Sequence, residues 1–335
     1  MTRPPIPETR LTATGALTSA FEQKWTALLA ETDPGSVDQW CSSLAWGLSA
    51  AAAFSSADPV ATCVADEAAL AFVSVRSGQQ RLLVPLEPVW LFGAPVVGPS
   101  PVAGADLLTR FLAKRIPSES MVLISGYVEN SPWWVALVDA LNANFRLGSG
   151  EDRVRCRASL DGGVDGYLGR RTRAFRRNLR QTQRRCADGE LSVVVLDDAP
   201  PATVLARVHA IERKSWKGAE DSGIESVDMA LLYNSLIPAL AESGALRIAV
   251  AVDANGTDAG FIFGGVLNGI YRGLQLSFVE SARHLGVGNY LQWHEIQRLC
   301  GEKYLHTYDM GMEMAYKFGW AESTFETSLL IAQRR

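Results

Sequence analysis

The sequence predicts a mixed α/β (α+β) protein of two domains, residues 1–150 and 151–335. Three observations predict it. A chain of 335 residues is long for one domain, since domains run ~100–200 residues. Short apolar runs rich in β-branched and aromatic residues alternate with stretches whose apolar residues recur at helical spacing. Finally, Ile270–Leu299 joins one of each through Arg283-His284-Leu285-Gly286-Val287-Gly288, a strand, a glycine loop and a helix in succession.

In the first half, Leu17–Thr32 reads as an amphipathic helix with Phe21, Trp25, Leu28 and Leu29 on one side, ended by Asp33-Pro34-Gly35. Trp40–Phe54 is a second helix. Strands follow at Val60–Ala65, Ala69–Val75 and Arg81–Phe92, the last two joined by Arg76-Ser77-Gly78. After the Pro95–Pro101 loop come helix Leu107–Ala113, buried strand Met121–Ser125 and helix Pro132–Asn144. This half offers no nucleophile–base pair. Its tryptophans (Trp40, Trp46, Trp90, Trp133, Trp134) are expected in the core, the usual place for large rings.

In the second half, Arg153–Leu160 alternates as a half-buried strand does. Tyr167–Cys186 then reads as one helix. Leu168, Phe175, Leu179, Thr182 and Cys186 lie on one face, with eight arginines around the rest. Strand Leu191–Leu196, helix Ala202–Ser215 and helix Asp228–Glu242 follow. Strands Leu246–Val252 and Gly260–Leu267 turn through Asp253-Ala254-Asn255-Gly256. Asn268-Gly269 is a tight-hairpin signal leading into strand Ile270–Val279. Past the glycine loop a helix opens at Asn289 and stops at Gly301. Tyr304–Tyr308 is a strand, Asp309-Met310-Gly311 a turn, Glu313–Phe318 a short helix and Phe325–Ala332 the closing strand.

Composition narrows the function classes. With 47% hydrophobic and 20% charged residues the chain is of ordinary globular type. A net charge of -4 gives no global attraction to nucleic acid or anionic membrane. Five scattered cysteines without a C-x-x-C pair, and four histidines without an H-x-x-x-H pattern, argue against a disulfide framework and a metal site. Met1–Thr14 lacks a secretory apolar core, and Ala50–Phe54 is far too short for a span of ~20 residues, so a cytoplasmic location is expected.

Two stretches carry chemistry. Glycines let backbone approach a ligand, and the unpaired N–H groups of a first helical turn attract anions. Arg170, Arg171, Arg173, Arg176, Arg177, Arg180, Arg184 and Arg185 lie on one segment of an acidic protein. Such a run is either a solvated, internally paired face or a polyanion site.

Arg-x-x-Gly-x-Gly between strand and helix resembles the acyl-CoA loop of GCN5-related (GNAT) acyltransferases. Further matching stretches are Arg171–Arg180 (RTRAFRRNLR), Glu212–Gly218 (ERKSWKG), Tyr290–Trp293 with Glu295-Ile296, Tyr308–Gly311, and Tyr316–Trp320. Together they resemble the GNAT branch of CelD/BioF2-like acetyltransferases and FemAB-like aminoacyl-tRNA transferases, over about residues 150–335. The resemblance implies tandem GNAT-like domains, each a mixed, mostly antiparallel sheet flanked by helices, with a degenerate first copy. It places the donor along Phe278, Val279, Arg283, Leu285, Gly286, Val287, Gly288 and Asn289, with Arg176, Arg177 and Arg180 on its phosphates.

Acyl transfer to an amine needs a base, an acid for the leaving group and donors for the oxyanion. By resemblance Tyr316 is the acid, and Lys317 stabilises the oxyanion or holds a carboxylate. Asp309 or Glu212 is the base. The expected donor is acyl-CoA, with no metal, and the acceptor a small-molecule amine. An aminoacyl-tRNA donor, bound through the 167–186 arginines, is the alternative. A catalytically dead binding protein is a third.

Overall fold

The computed structural model describes residues 18–55, 60–78, 80–115, 121–219 and 223–335. The Met1–Thr14 lead lies outside them. In chain order the elements open with α1 (Ser19–Glu31), α2 (Leu44–Phe54), β1 (Val60–Val64), β2 (Ala69–Ser77) and β3 (Gln80–Pro85). Next come β4 (Val96–Val97), α3 (Pro101–Arg115), β5 (Met121–Tyr127), α4 (Pro132–Asn142), β6 (Phe145–Ser149) and β7 (Arg153–Ser159). The chain continues with α5 (Gly163–Gly169), α6 (Arg173–Asp188), β8 (Ser192–Val195), α7 (Pro201–Glu212), α8 (Trp216–Ala219) and α9 (Val227–Glu242). It closes with β9 (Leu246–Val252), β10 (Asp258–Leu267), β11 (Ile270–Phe278), α10 (Val287–Gly301), β12 (Thr307–Met312) and β13 (Ser323–Arg334).

The architecture is mixed α/β, with mostly antiparallel sheet flanked by helices. There are two compact units: the described residues of Met1–Arg153 together with Glu326–Arg335, and Val154–Phe325. In the first, β1, β2 and β3 form an antiparallel meander. β3 runs parallel to β5, and β13 pairs antiparallel with both β5 and β6. Phe72, Leu107, Ile124, Trp133 and Leu137 fill its core. Of the five tryptophans expected in the core, Trp40, Trp46 and Trp133 are buried, while Trp90 and Trp134 are partly covered.

In the second unit β8, β9, β10 and β11 form an antiparallel series. β11 then runs parallel to β12, which is antiparallel to β7. A parallel pair needs a crossover, and α10 supplies it by packing Trp293, Ile296 and Leu299 against Tyr271 and Tyr308. Both units hold an antiparallel meander that ends in a parallel pair reached through a helix, with an antiparallel strand beyond it: β13, from the end of the chain, in the first, and β7, which precedes the meander, in the second.

Several elements differ from their sequence expectation. The basic helix is two helices, because the Thr172 hydroxyl accepts from Phe175 N–H at 3.1 Å and starts α6 afresh after α5. α10 opens at Val287, not Asn289, with Gly286 as its N-cap at φ 79°. Asp309-Met310-Gly311 is strand, not turn. The register of β12 on β7 slips between Asp309 and Met312, and Gly311 takes φ 83°, so the turn residues mark a bulge within the strand. β6 has no counterpart among the expected elements. Asn268 (φ 47°) and Gly269 (φ 79°) form the expected tight turn.

Candidate active site

The site begins where two strands part. β11 and β12 pair only from Ile270↔Thr307 to Arg272↔Asp309. Beyond Arg272, β11 runs on to Phe278 without β12. β10 pairs Phe263 with Gln275 and Gly264 with Gly273, so Leu274 is an extra residue with no register partner on either neighbour. A bulge of this kind leaves backbone groups unused beside an open cleft.

The glycine loop lies at the far end of β11. The first three N–H groups of α10, on Val287, Gly288 and Asn289, have no carbonyl one turn back. No side chain caps them. Arg185 Nη2 stands 3.4 Å from where a Cβ on Gly286 would lie, so a guanidinium and a helix N-terminus converge here. Gly288 is needed for packing: a Cβ there would stand 3.1 Å from Phe278 Cε1 and 3.3 Å from Leu276 Cδ2.

The expected donor residues divide. Gly286, Gly288 and Asn289 line the helix start. Val279 and Val287 are buried, and Phe278 and Leu285 are partly covered. Arg283 turns away into an exposed ion pair with Glu280 at 2.7 Å. Arg176 donates to the Leu168 carbonyl at 3.0 Å, which occupies it at the end of α5. Arg177 and Arg180 are exposed, and the arginine beside Gly286 is Arg185.

Arg173, Arg177, Arg180 and Arg184 follow one another at i, i+4, i+7 and i+11 along α6, so they share a face. All four are exposed, and no ion pair joins them to a carboxylate among the described residues. Arg170 and Arg171, by contrast, pair with Glu322. His284 is exposed and sits against the Ser281 carbonyl.

Neither expected base is placed to be one. Asp309 is 2% exposed and pairs with Arg272, with Arg155 at 3.2 Å and with Arg157 at 3.3 Å. Although burial alone would raise its pKa, the three guanidiniums and the Gly311 N–H hold it well below the usual carboxylate range. A carboxylate so stabilised is a very weak proton acceptor. Glu212 is fully buried, with one oxygen taking the Ile224 N–H at 3.2 Å and the other the Ser215 hydroxyl at 3.3 Å. These bonds tie the end of α7 to the segment that follows, which is a structural role.

Tyr316 and Lys317 lie in the 3₁₀ turn Ala315–Gly319 after β12. Tyr316 is 66% exposed as a residue, while shielding of its phenol, with Cys156 nearby, raises its pKa. Lys317 Nζ donates to the Met312 carbonyl at 2.8 Å. Burial first, then the Arg272 charge, pushes its ammonium down to about 8. On the β11 wall Lys217 Nζ donates to Gln275 Oε1 at 3.2 Å and Leu276 O at 3.0 Å, and burial lowers its pKa.

Sequence reasoning did not single out Arg272, Leu274 or Lys217, and within the arginine run it put Arg176, Arg177 and Arg180 on the donor, where the arginine beside Gly286 is Arg185. Arg185 stood in the run of eight arginines and Lys217 inside the Glu212–Gly218 motif. Arg272 and Leu274 carried no local sign, since only strand register places them. Among the described residues no group of three or more His, Cys, Asp or Glu is placed to hold a metal. No described helix is long and apolar enough to cross a membrane.

Residues 173–318 match the acetyltransferase (GNAT) domain family. No curated protein matches the chain significantly. Among solved structures the chain is similar to FemX, with TM-score 0.65 and 10% identity over 96% of each chain. It is similar to a conserved protein of unknown function from Bacteroides thetaiotaomicron VPI-5482, with TM-score 0.63 and 13% identity over 97% of this chain and 99% of that one. The C-terminal domain of a putative lysylphosphatidylglycerol synthetase from Agrobacterium fabrum gives TM-score 0.57 and 13% identity, over 95% and 93%. At such identities these structures speak to the fold. The family match lies inside the unit that holds the split strands, the glycine loop and the Tyr316-Lys317 turn: the second unit is an acyltransferase domain of the GNAT family.

Proposed function

We propose that the protein is an N-acyltransferase that moves an acyl group from acyl-CoA to the amine of a small molecule. The observation that carries this is the anion site formed by the α10 N-terminus and Arg185, one strand-length from the split between β11 and β12. The donor's pyrophosphate takes the N–H groups of Val287, Gly288 and Asn289, and its thioester runs along β11 into the split. The amine nitrogen attacks the thioester carbonyl, and the oxyanion meets the backbone at the Leu274 bulge. The C–S bond breaks, and the thiolate takes its proton from Tyr316, whose raised pKa keeps it protonated. With Asp309 and Glu212 occupied, the amine's proton passes to water at the open mouth.

A second reading, an aminoacyl-tRNA donor, is favoured by the four-arginine face of α6. One titration separates the two. Acetyl-CoA and bulk aminoacylated tRNA are titrated against the whole protein at two salt concentrations. Saturable CoA binding that Arg185→Ala weakens, with little salt dependence, is expected. Salt-sensitive tRNA binding without CoA binding, lost when Arg177 and Arg180 are neutralised, favours the second reading.

A further inference from the structure

A row of like charges along a helix is unfavourable by itself. Arg173, Arg177, Arg180 and Arg184 repel one another at i,i+4 and i,i+3, and the one carboxylate of α6 belongs to Asp188, its last residue. All four arginines are exposed. From Arg173 to Arg184 the row is about 16 Å long at 1.5 Å per residue.

The row ends beside the donor's anion site. A Cβ on Gly286 would meet Thr182 Cγ2 at 3.3 Å and Arg185 Nη2 at 3.4 Å, and Arg185 follows Arg184 directly. Gly189, which closes α6, lies equally close to Leu285, with 3.1 Å from its Cβ position to Leu285 Cδ2. The α10 N-terminus and Arg185 suffice for the phosphates nearest the thioester arm. CoA has one further phosphate, too small to span the row. The remaining charge calls for an extended anion that arrives with the donor.

The exposed side of α6 narrows the kind of anion. Its single aromatic ring, Phe175, packs edge-on onto buried Trp320 at 4.9 Å, and the exposed positions beside the arginines are Ala174, Asn178 and Gln181. Unpaired RNA bases are held by stacking on rings, and a bilayer surface by apolar side chains that enter it. This side of α6 offers neither. The spacing i, i+4, i+7, i+11 is instead that of a helix face, so carboxylates at the same spacing on a second helix would meet the arginines one to one.

We propose that the acyl group reaches this protein on an acidic, helical carrier protein. The carrier's acidic helix lies on Arg173, Arg177, Arg180 and Arg184, and its phosphopantetheine arm enters along β11. This rests on the acyl-transfer reading above, with a protein in place of CoA as the bearer of the thioester. The arm's phosphate takes the N–H groups of Val287, Gly288 and Asn289 together with Arg185. The chemistry balances as before: the amine nitrogen gains the acyl carbon and loses a proton, the C–S bond breaks, and the arm's sulfur gains a proton.

The test is a calorimetric titration of the whole protein at two salt concentrations. The probes are acetyl-CoA, a bacterial acyl carrier protein with an acetyl thioester on its arm, the same carrier without its arm, and bulk tRNA. At low salt the acetylated carrier is expected to bind about 10-fold or more tighter than acetyl-CoA, the range of several exposed charge pairs together. High salt should remove that advantage. Changing all four arginines of the row to Gln should bring the carrier down to the affinity of acetyl-CoA, with a thermal melt to check that the variant is folded. Arg185→Ala should weaken acetyl-CoA and the acetylated carrier alike, and leave binding of the armless carrier as it was.

A carrier that binds no tighter than acetyl-CoA would overturn the proposal, and the salt series shows this without any variant. So would an advantage that survives the four substitutions, or tRNA that displaces the carrier from the row. The two ideas fail differently. Acetyl-CoA binding without a carrier advantage sinks this proposal alone, whereas no binding of either acetyl donor sinks the donor reading beneath it.

Discussion

Asp309 gathers Arg155, Arg157 and Arg272 at the point where β11 and β12 separate, two of them buried and the third partly so. Asp309→Asn should therefore cost about 3–5 kcal/mol, the usual effect of breaking a buried pair from one side, measured by denaturant unfolding. Because its folded pKa is depressed, its stabilisation is present above the usual carboxylate pKa and is lost as pH falls toward the folded value. Glu87 behaves in the opposite sense. It is buried, accepts the Val89, Trp90 and Phe92 N–H groups, and is raised by burial to about 7. Between the usual carboxylate pKa and about 7 the folded state holds the extra proton, so stability should fall as pH rises through that window. Glu87→Gln should flatten this slope in urea melts taken across the window. For chemistry, Tyr316→Phe should lower kcat by ~10²-fold or more if the phenol protonates the leaving thiolate, and full activity would move that role elsewhere.

At the scale of an element, the start of α10 and the outer face of α6 behave differently under mutation. Gly286 must hold φ 79°, and a side chain there also meets Thr182 and Arg185. Gly286→Ala should cost roughly 1 kcal/mol for the left-handed backbone and weaken CoA binding as well. Gly288→Val has a structural cost as well. Its side chain would push against Phe278 and Leu276 and lift α10 from β11, so its effect mixes stability with donor affinity. Arg177→Ala and Arg180→Ala touch no partner. Stability should stay within about 0.5 kcal/mol, and any polyanion affinity should fall with its salt slope reduced by roughly 0.7–0.9 per arginine.

For the whole molecule, the last ten residues belong with the first unit rather than the second. Within them β13 pairs with both β5 and β6, from Ser328 to Arg334. Ending the chain after Phe325 should leave β5 and β6 each with an unpaired edge and take Leu330 and Ala332 out of the core they help to fill. Hydrogen exchange should then rise across β5 and β6 while protection in β9 and β10 persists. Equal loss in both units would show that they unfold as one.

The chain alone determined the order of helices and strands, the Asn268-Gly269 turn, the glycine loop and the GNAT resemblance of the second unit, because each is written in residues close together. Hydrophobic period, turn chemistry and a short motif are local properties. Only the tertiary structure decided what Asp309 and Glu212 do. A carboxylate's role depends on which charges and N–H groups surround it, and Arg155, Arg157 and Arg272 come from two other strands. It decided likewise that Arg185 stands by Gly286 while Arg283 turns to Glu280, since a long side chain takes whichever partner packing brings nearest. The tandem arrangement was implied by the resemblance, but which strand completes each sheet was out of reach. It rests on which strands pair, and β13 reaches its partners across most of the chain.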